Sequence, residues 1–233
     1  MVSLVVGKRT ADATHALVAD VRRRTGGRVM RLMTSDEYPA YPEAIRAAYG
    51  TTVTPPRTGR PGRPRKAYTE LPPGLMYATV HKTRENGRVV DVTTRVVFGT
   101  AVALALALAL SVVSRVVNTC FVERHNGTDR NRSSRKVRKG YTFSKDWAAH
   151  RAATAFSYFS YNFCWPVRTL RVKADGRWQS RTPAMAAGLT DHVWSLAEWL
   201  PGQDQPHASQ PFGPLPQLGG QSIGLVRTVT SVL

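Results

Sequence analysis

Asn86-Gly87 stands between two long runs rich in β-branched and apolar residues, Leu75–Thr83 and Val89–Phe98. No other feature constrains the fold as tightly. A type I′ hairpin turn, whose twist matches that of its strands, needs positive φ at both central positions, which Asn and Gly adopt at little cost. Leu75–Phe98 therefore reads as a β-hairpin joined through Arg84-Glu85-Asn86-Gly87-Arg88.

Upstream of it the pattern alternates. Val2–Val6 (VSLVV) is β-branched and reads as a strand. Ala11–Thr25 reads as a helix, with Ala16, Leu17, Val18 and Val21 apolar, Arg22-Arg23-Arg24 in the last turn and Gly26-Gly27 as its stop. Val29–Thr34 is a second strand with Ser35-Asp36 at its carboxyl end, and Pro39–Tyr49 is a short helix opened by proline and closed by Gly50. Strand, helix, strand in this order implies an α/β fold.

Downstream, Thr51–Pro73 reads as a Pro- and Arg-rich linker or long loop, Ala101–Leu110 as a buried apolar segment, and Val116–Cys120 as a short strand before a helix from Phe121. Ser144 is the expected N-cap of a helix running to Phe163, with Asp146 in its first turn, and Pro166 ends it. At helical spacing, Tyr158, Phe159, Tyr161, Phe163 and Trp165 read as a core stripe, with base stacking as the alternative. Thr190-Asp191 opens a further short helix through Trp199, and 202–233 is Gln/Pro/Gly-rich with no periodic face.

Charge narrows the partners. The 233 residues carry 33 Lys+Arg against 15 Asp+Glu, a net charge of +18, while a hydrophobic fraction of 42% excludes a mostly disordered chain. Such a balance points to a polyanion, most simply nucleic acid. Cys120 and Cys164 form neither a disulfide framework nor a metal-binding pair, so a reducing, cytoplasmic setting is expected. No signal peptide is expected, because Met1–Val6 runs straight into Lys8-Arg9. The apolar run Ala101–Val113 is too short to span a bilayer.

Two acids are candidates for chemistry on phosphodiesters. Asp36 ends a strand, where functional groups of open α/β sheets collect, and Glu123 begins a basic helix. Only a fold can bring them together, since 87 residues separate them. Clustered carboxylates are hard oxygen ligands that suit Mg²⁺ or Mn²⁺. A metal pair can activate an attacking hydroxyl and stabilise a leaving oxygen. On spacing alone, Asp36 could instead cap the following helix and Glu123 could pair with Arg124. His81, His125 and His150 are not at metal-ligand spacing with the cysteines; His125 could touch phosphate or serve as a cap. Two basic stretches could hold phosphates: Arg130, Arg132, Arg135, Lys136, Arg138 and Lys139, and the loop with Arg60, Arg63, Arg65 and Lys66, whose Gly59–Lys66 segment resembles an AT-hook.

Several blocks together resemble one family. These are Thr34–Tyr41 (TSDEYPAY), the hairpin Tyr77–Phe98, Phe121–Asn131 (FVERHNGTDRN), Lys136–Lys139, Phe143–Trp147 and Tyr161–Trp165 (YNFCW). In combination they resemble the IS-one family of bacterial DDE insertion-sequence transposases, from about Val2 to Leu200. The resemblance implies a ribonuclease-H-like (retroviral-integrase-type) mixed sheet with flanking helices and an inserted β-hairpin. It divides the chain into 1–50 and 100–200 as the catalytic core, 51–74 as an AT-hook-like loop, 75–99 as the hairpin insertion and 201–233 as a tail. It implies DNA cleavage and strand transfer with Mg²⁺ or Mn²⁺, Asp36 as the second acid and Glu123 as the last. It adds Arg124 and Asn126 to the DNA contacts, with Asn126 and Arg130 on the helical face of Glu123. Its implied partners are double-stranded DNA, both element ends and target, and further copies of the chain, with no membrane and no small-molecule substrate. In the family the first Asp lies upstream of the segment resembling Val2–Thr10. Asp12 reads as a helix-start residue and Asp20 as a surface one, so the expectation is an amino-terminally truncated transposase or a catalytically inactive DNA-binding remnant of one.

Overall fold

The computed structural model describes residues 3–56, 63, 65–111, 114–137 and 141–200. It is a mixed α/β structure in two compact units, one reaching to Arg124 and the other beginning at His125. Each is built around its own contacts.

The first unit opens with α1 (Ala11–Arg24). The Thr10 hydroxyl accepts from the Ala13 N–H at 3.2 Å, Asp12 lies in the first turn, and three arginines occupy the last, all favourable to the helix dipole. β1 (Met33–Asp36) and α2 (Ala40–Tyr49) follow, then β2 (Thr51–Val53), β3 (Tyr68–Glu70), β4 (Tyr77–Glu85), β5 (Arg88–Phe98) and α3 (Ala101–Ala109). β4 and β5 form the expected hairpin, turned tightly by Asn86 at φ 48° and Gly87 at φ 78°, both positive as a type I′ turn requires. The sheet order is β1-β4-β5, with β1 parallel to β4 and β5 antiparallel.

Period-2 alternation along β4 gives the sheet two buried faces. Tyr77 and Phe98 pack with Val18, Tyr41, Ala44, Ile45, Ala48 and Tyr49 of α1 and α2. Met76, Ala78 and Val80 pack with Leu32, Leu104 of α3 and Val117. Beyond His81 the hairpin leaves this double cover, and residues 83–95 are exposed.

Several expectations are corrected here. Of the strand expected at Val2–Val6, the described residues Ser3–Val6 form no strand and pair with no other strand among the described residues; Val5 packs on Ala13 and Leu17 of α1. The strand expected at Val29–Thr34 sits later, at Met33–Asp36, in parallel register with Tyr77–Val80. The loop of 51–73 is pinched by antiparallel pairing of β2 with β3. The segment expected to be buried at Ala101–Leu110 forms α3, which buries only Leu104, because one helix face alone meets the sheet; Val102, Leu106 and Leu110 are exposed. Val116–Cys120 forms no strand, and Cys120 already starts α4 (Cys120–Arg132). Asp20 is not a surface residue. It is buried and accepts hydrogen bonds from Ser3 Oγ at 2.5 Å, Arg24 Nε at 2.7 Å and Arg23. Burial alone would raise its pKa, but these donors hold the carboxyl below its ordinary value.

The second unit contains α5 (Trp147–Cys164), β6 (Val172–Ala174), β7 (Arg177–Gln179), α6 (Pro183–Ala186) and α7 (Leu196–Trp199). Asp146, not Ser144, caps α5, accepting from the Ala149 N–H at 2.5 Å. Ser144 is buried and bonds the His150 ring at 3.1 Å. The expected core stripe divides. Tyr158, Phe159 and Phe163 are buried, and Phe163 stacks on Trp199 and meets Trp194 at a tilt, while Trp165 is exposed. The helix expected from Thr190 is confined to α7, where Ser195 and Glu198 close a capping box. β6 and β7 turn through Asp175-Gly176, both at positive φ.

Candidate nucleic-acid site

β4 is the element that organises the candidate acids. Asp36 is the last residue of β1 and lies opposite Val80. Two residues further along β4, and therefore on the same sheet face as Val80, Lys82 extends its ammonium to Glu123 Oε1 at 2.7 Å. The Thr119 hydroxyl donates to the same carboxylate oxygen at 2.9 Å and accepts from Lys82 at 3.1 Å. Glu123 stands in the first turn of α4, where a carboxylate complements the helix dipole. Two acids 87 residues apart are thus both anchored to one short stretch of β4.

Each acid has a cation. Arg9 Nη2 donates to Asp36 Oδ2 at 2.8 Å, and the Arg9 guanidinium lies 4.1 Å from the centre of the Tyr38 ring. The neighbouring Glu37 accepts the ring of His81 at 2.5 Å. Below Asp36, the Ser35 and Tyr77 hydroxyls bond at 2.6 Å; burial pushes the Tyr77 phenol up to about 12, although this hydrogen bond opposes the shift. The donors around β4 are carboxylate oxygens, the kind Mg²⁺ and Mn²⁺ prefer. Among the described residues, however, no three His, Cys, Asp or Glu side chains are grouped to hold a metal ion.

The predicted DNA contacts differ in what they present. Arg63, Arg65 and Lys66 are exposed between β2 and β3, and Arg60 lies outside the described residues. Arg124 and Arg135 are exposed, and Asn126 and Arg130 are half-buried. Arg132 places its guanidinium 3.6 Å from the centre of the Trp165 ring and 5.2 Å from that of Tyr161. Lys136 is a correction: it is buried, and its ammonium donates to both oxygens of Asp129 at 2.7 and 2.8 Å, so it cannot face a phosphate in this arrangement. Arg138 and Lys139 lie outside the described residues.

Sequence reasoning missed the polar cluster that Lys136 joins. Asp129 also accepts from Tyr158 OH at 3.0 Å, and His125 sits edge-on between the rings of Tyr158 and Tyr161, at 4.8 and 5.0 Å. Burial pushes the His125 pKa down to about 4 and lowers that of Lys136. The available signal was Asp129 itself, the one acid in the cation-rich run from Arg124 to Lys139. A single acid there reads as charge balance, but its burial makes it a hub. No helix among the described residues is long and apolar enough to cross a membrane. Compared with protein-family models, curated proteins and solved structures, the chain matches none.

Proposed function

We propose that this chain is a DNA-processing protein of the DDE-transposase type, with a ribonuclease-H-like core in which Asp36 and Glu123 act on the phosphodiester backbone. The observation that carries the reading is the anchoring of both acids to the Val80–Lys82 stretch of β4, despite their distance in sequence. The parallel β1–β4 pairing, with an acid at the carboxyl end of β1, supports the same fold type. Mg²⁺ or Mn²⁺ bound by these carboxylates would polarise the scissile phosphate. Arg9 and Lys82 hold the two carboxylates in place through ion pairs at 2.8 and 2.7 Å. Exposed Arg63, Arg65, Lys66 and Arg135 would neutralise phosphates without reading sequence.

A second reading is favoured by one observation: each acid already has a cationic partner, and no third ligand joins them among the described residues. On that reading the chain binds DNA without cutting it. A nicking assay on duplex DNA with Mg²⁺, run beside a binding titration, separates the two. Nicking that disappears in Asp36→Asn and Glu123→Gln, with binding retained, supports catalysis. Binding without nicking supports the second reading. Absence of both overturns the DNA assignment.

A further inference from the structure

β5 is an edge strand of its sheet, and among the described residues its outer edge pairs with no other strand. An open edge with exposed β-branched residues is a template for another strand. Val89, Val90 and Val92 are 44%, 51% and 56% exposed, and residues 83–95 are exposed throughout. The central part, Asp91–Arg95, is regular: it pairs residue for residue with Thr79–Thr83 of β4, and irregularities in the register flank it on both sides. This regular window reads Asp91-Val92-Thr93-Thr94-Arg95, opposite charges at its two ends and β-branched residues between.

We propose that β5 is a homodimer interface, in which two copies of this chain join by antiparallel β5–β5 pairing about a two-fold axis at Thr93. In that register Asp91 lies directly opposite Arg95 of the second copy, and by symmetry the ion pair forms twice. Val92 lies opposite Thr94, also twice, and Thr93 meets its own copy. Cross-strand partners share a face in an antiparallel pair, so the charged pairs line one face and the Val–Thr pairs the other. A slip of two residues in either direction removes both ion pairs, and a slip of four sets Asp91 against Asp91 or Arg95 against Arg95. The charges therefore specify both the occupant and the register. Among the described residues neither Asp91 nor Arg95 has an ion-pair partner of its own chain, so both are available. The joined sheets would run β1-β4-β5 and then β5-β4-β1 of the second copy, closing two exposed edges at once.

The inference does not depend on the DNA reading, and its test contains no DNA. Sedimentation equilibrium of the full chain should show a monomer–dimer equilibrium. Asp91→Arg or Arg95→Asp alone places like charges opposite each other twice and should weaken dimerisation at least about tenfold. The double exchange Asp91→Arg with Arg95→Asp recreates both pairs with reversed polarity and should restore it. A chain that stays monomeric, or a dimer indifferent to the single reversals, overturns the proposal. So does a double exchange no better than the single ones. All positions changed are exposed, and unchanged circular dichroism of each variant confirms that folding is retained.

Discussion

The half-buried ring of His125 makes the second unit acid-sensitive in a way that can be calculated. Its Nε2 is buried without a hydrogen-bond partner, and the ring is enclosed by Tyr158 and Tyr161. Burial opposes its charged form, Arg132 and Lys136 add to that opposition, and Asp129 partly offsets it, leaving the pKa at about 4. The unfolded chain takes up this proton near pH 6.5 and the folded chain near 4. Between those values the unfolded state binds more protons, so stability is complete above 6.5 and falls as pH drops toward 4. At pH 4.5 the loss amounts to about 2.5 kcal/mol. His125→Phe keeps an aromatic edge for both tyrosines and removes the titration. Urea unfolding followed by tryptophan fluorescence suits the measurement, since Trp147, Trp165, Trp178, Trp194 and Trp199 all lie in this unit. Between pH 7.5 and 4.5 the natural chain should lose about 2.5 kcal/mol more than His125→Phe. The carboxylates common to both proteins cancel in the comparison. Parallel pH dependences would refute the reasoning.

Two further predictions concern packing. Lys136→Met leaves Asp129 buried without its counter-ion and should cost about 3–5 kcal/mol, whereas Asp129→Leu combined with Lys136→Met should recover most of that loss, as read by thermal melting of the second unit. Gly99→Ala should destabilise the first unit by about 2 kcal/mol or more in denaturant titration, because φ is +93° and the added methyl would lie 2.6 Å from Met76 Cε.

The parts of the fold that sequence made legible are those written locally. The Asn86-Gly87 turn and the limits of α1, α2 and α5 each follow from propensity, capping or period, and each formed where expected to within a few residues. What escaped depends on partners distant in sequence. VSLVV carries strand propensity, yet Ser3 is held by Asp20 and Val5 by α1, so no strand forms. An unbroken apolar run such as AVALALALA does not declare how many of its faces find a neighbour, and α3 found one. Neither β2–β3 nor β6–β7 is visible in periodicity, because strands of three residues show less than two full alternations. At the candidate site, the position of Asp36 after a strand and of Glu123 at a helix start were legible. Their cations were not, since Arg9 is 27 residues from Asp36 and Lys82 is 41 from Glu123.

Net charge, the broadest signal in the chain, takes on a more specific meaning once each cation is placed. A formal +18 suggests a surface uniformly ready for a polyanion. Yet Arg23 and Arg24 hold the buried Asp20, Lys136 holds Asp129, and Lys82 and Arg9 hold the two candidate acids. Arg132 lies against Trp165. These six cations position acids or rings. Other cations are exposed in both units, among them Arg63, Arg65 and Lys66 in the span between β2 and β3, and Arg135 beyond α4. A phosphate backbone meeting these positions would find charge that is not already engaged inside the fold. The same division explains why a run of six cations such as Arg130–Lys139 cannot be read as one functional block. Lys136 and Arg132 within it stabilise the unit that presents their neighbours, so neutralising the run as a whole would test folding and binding together.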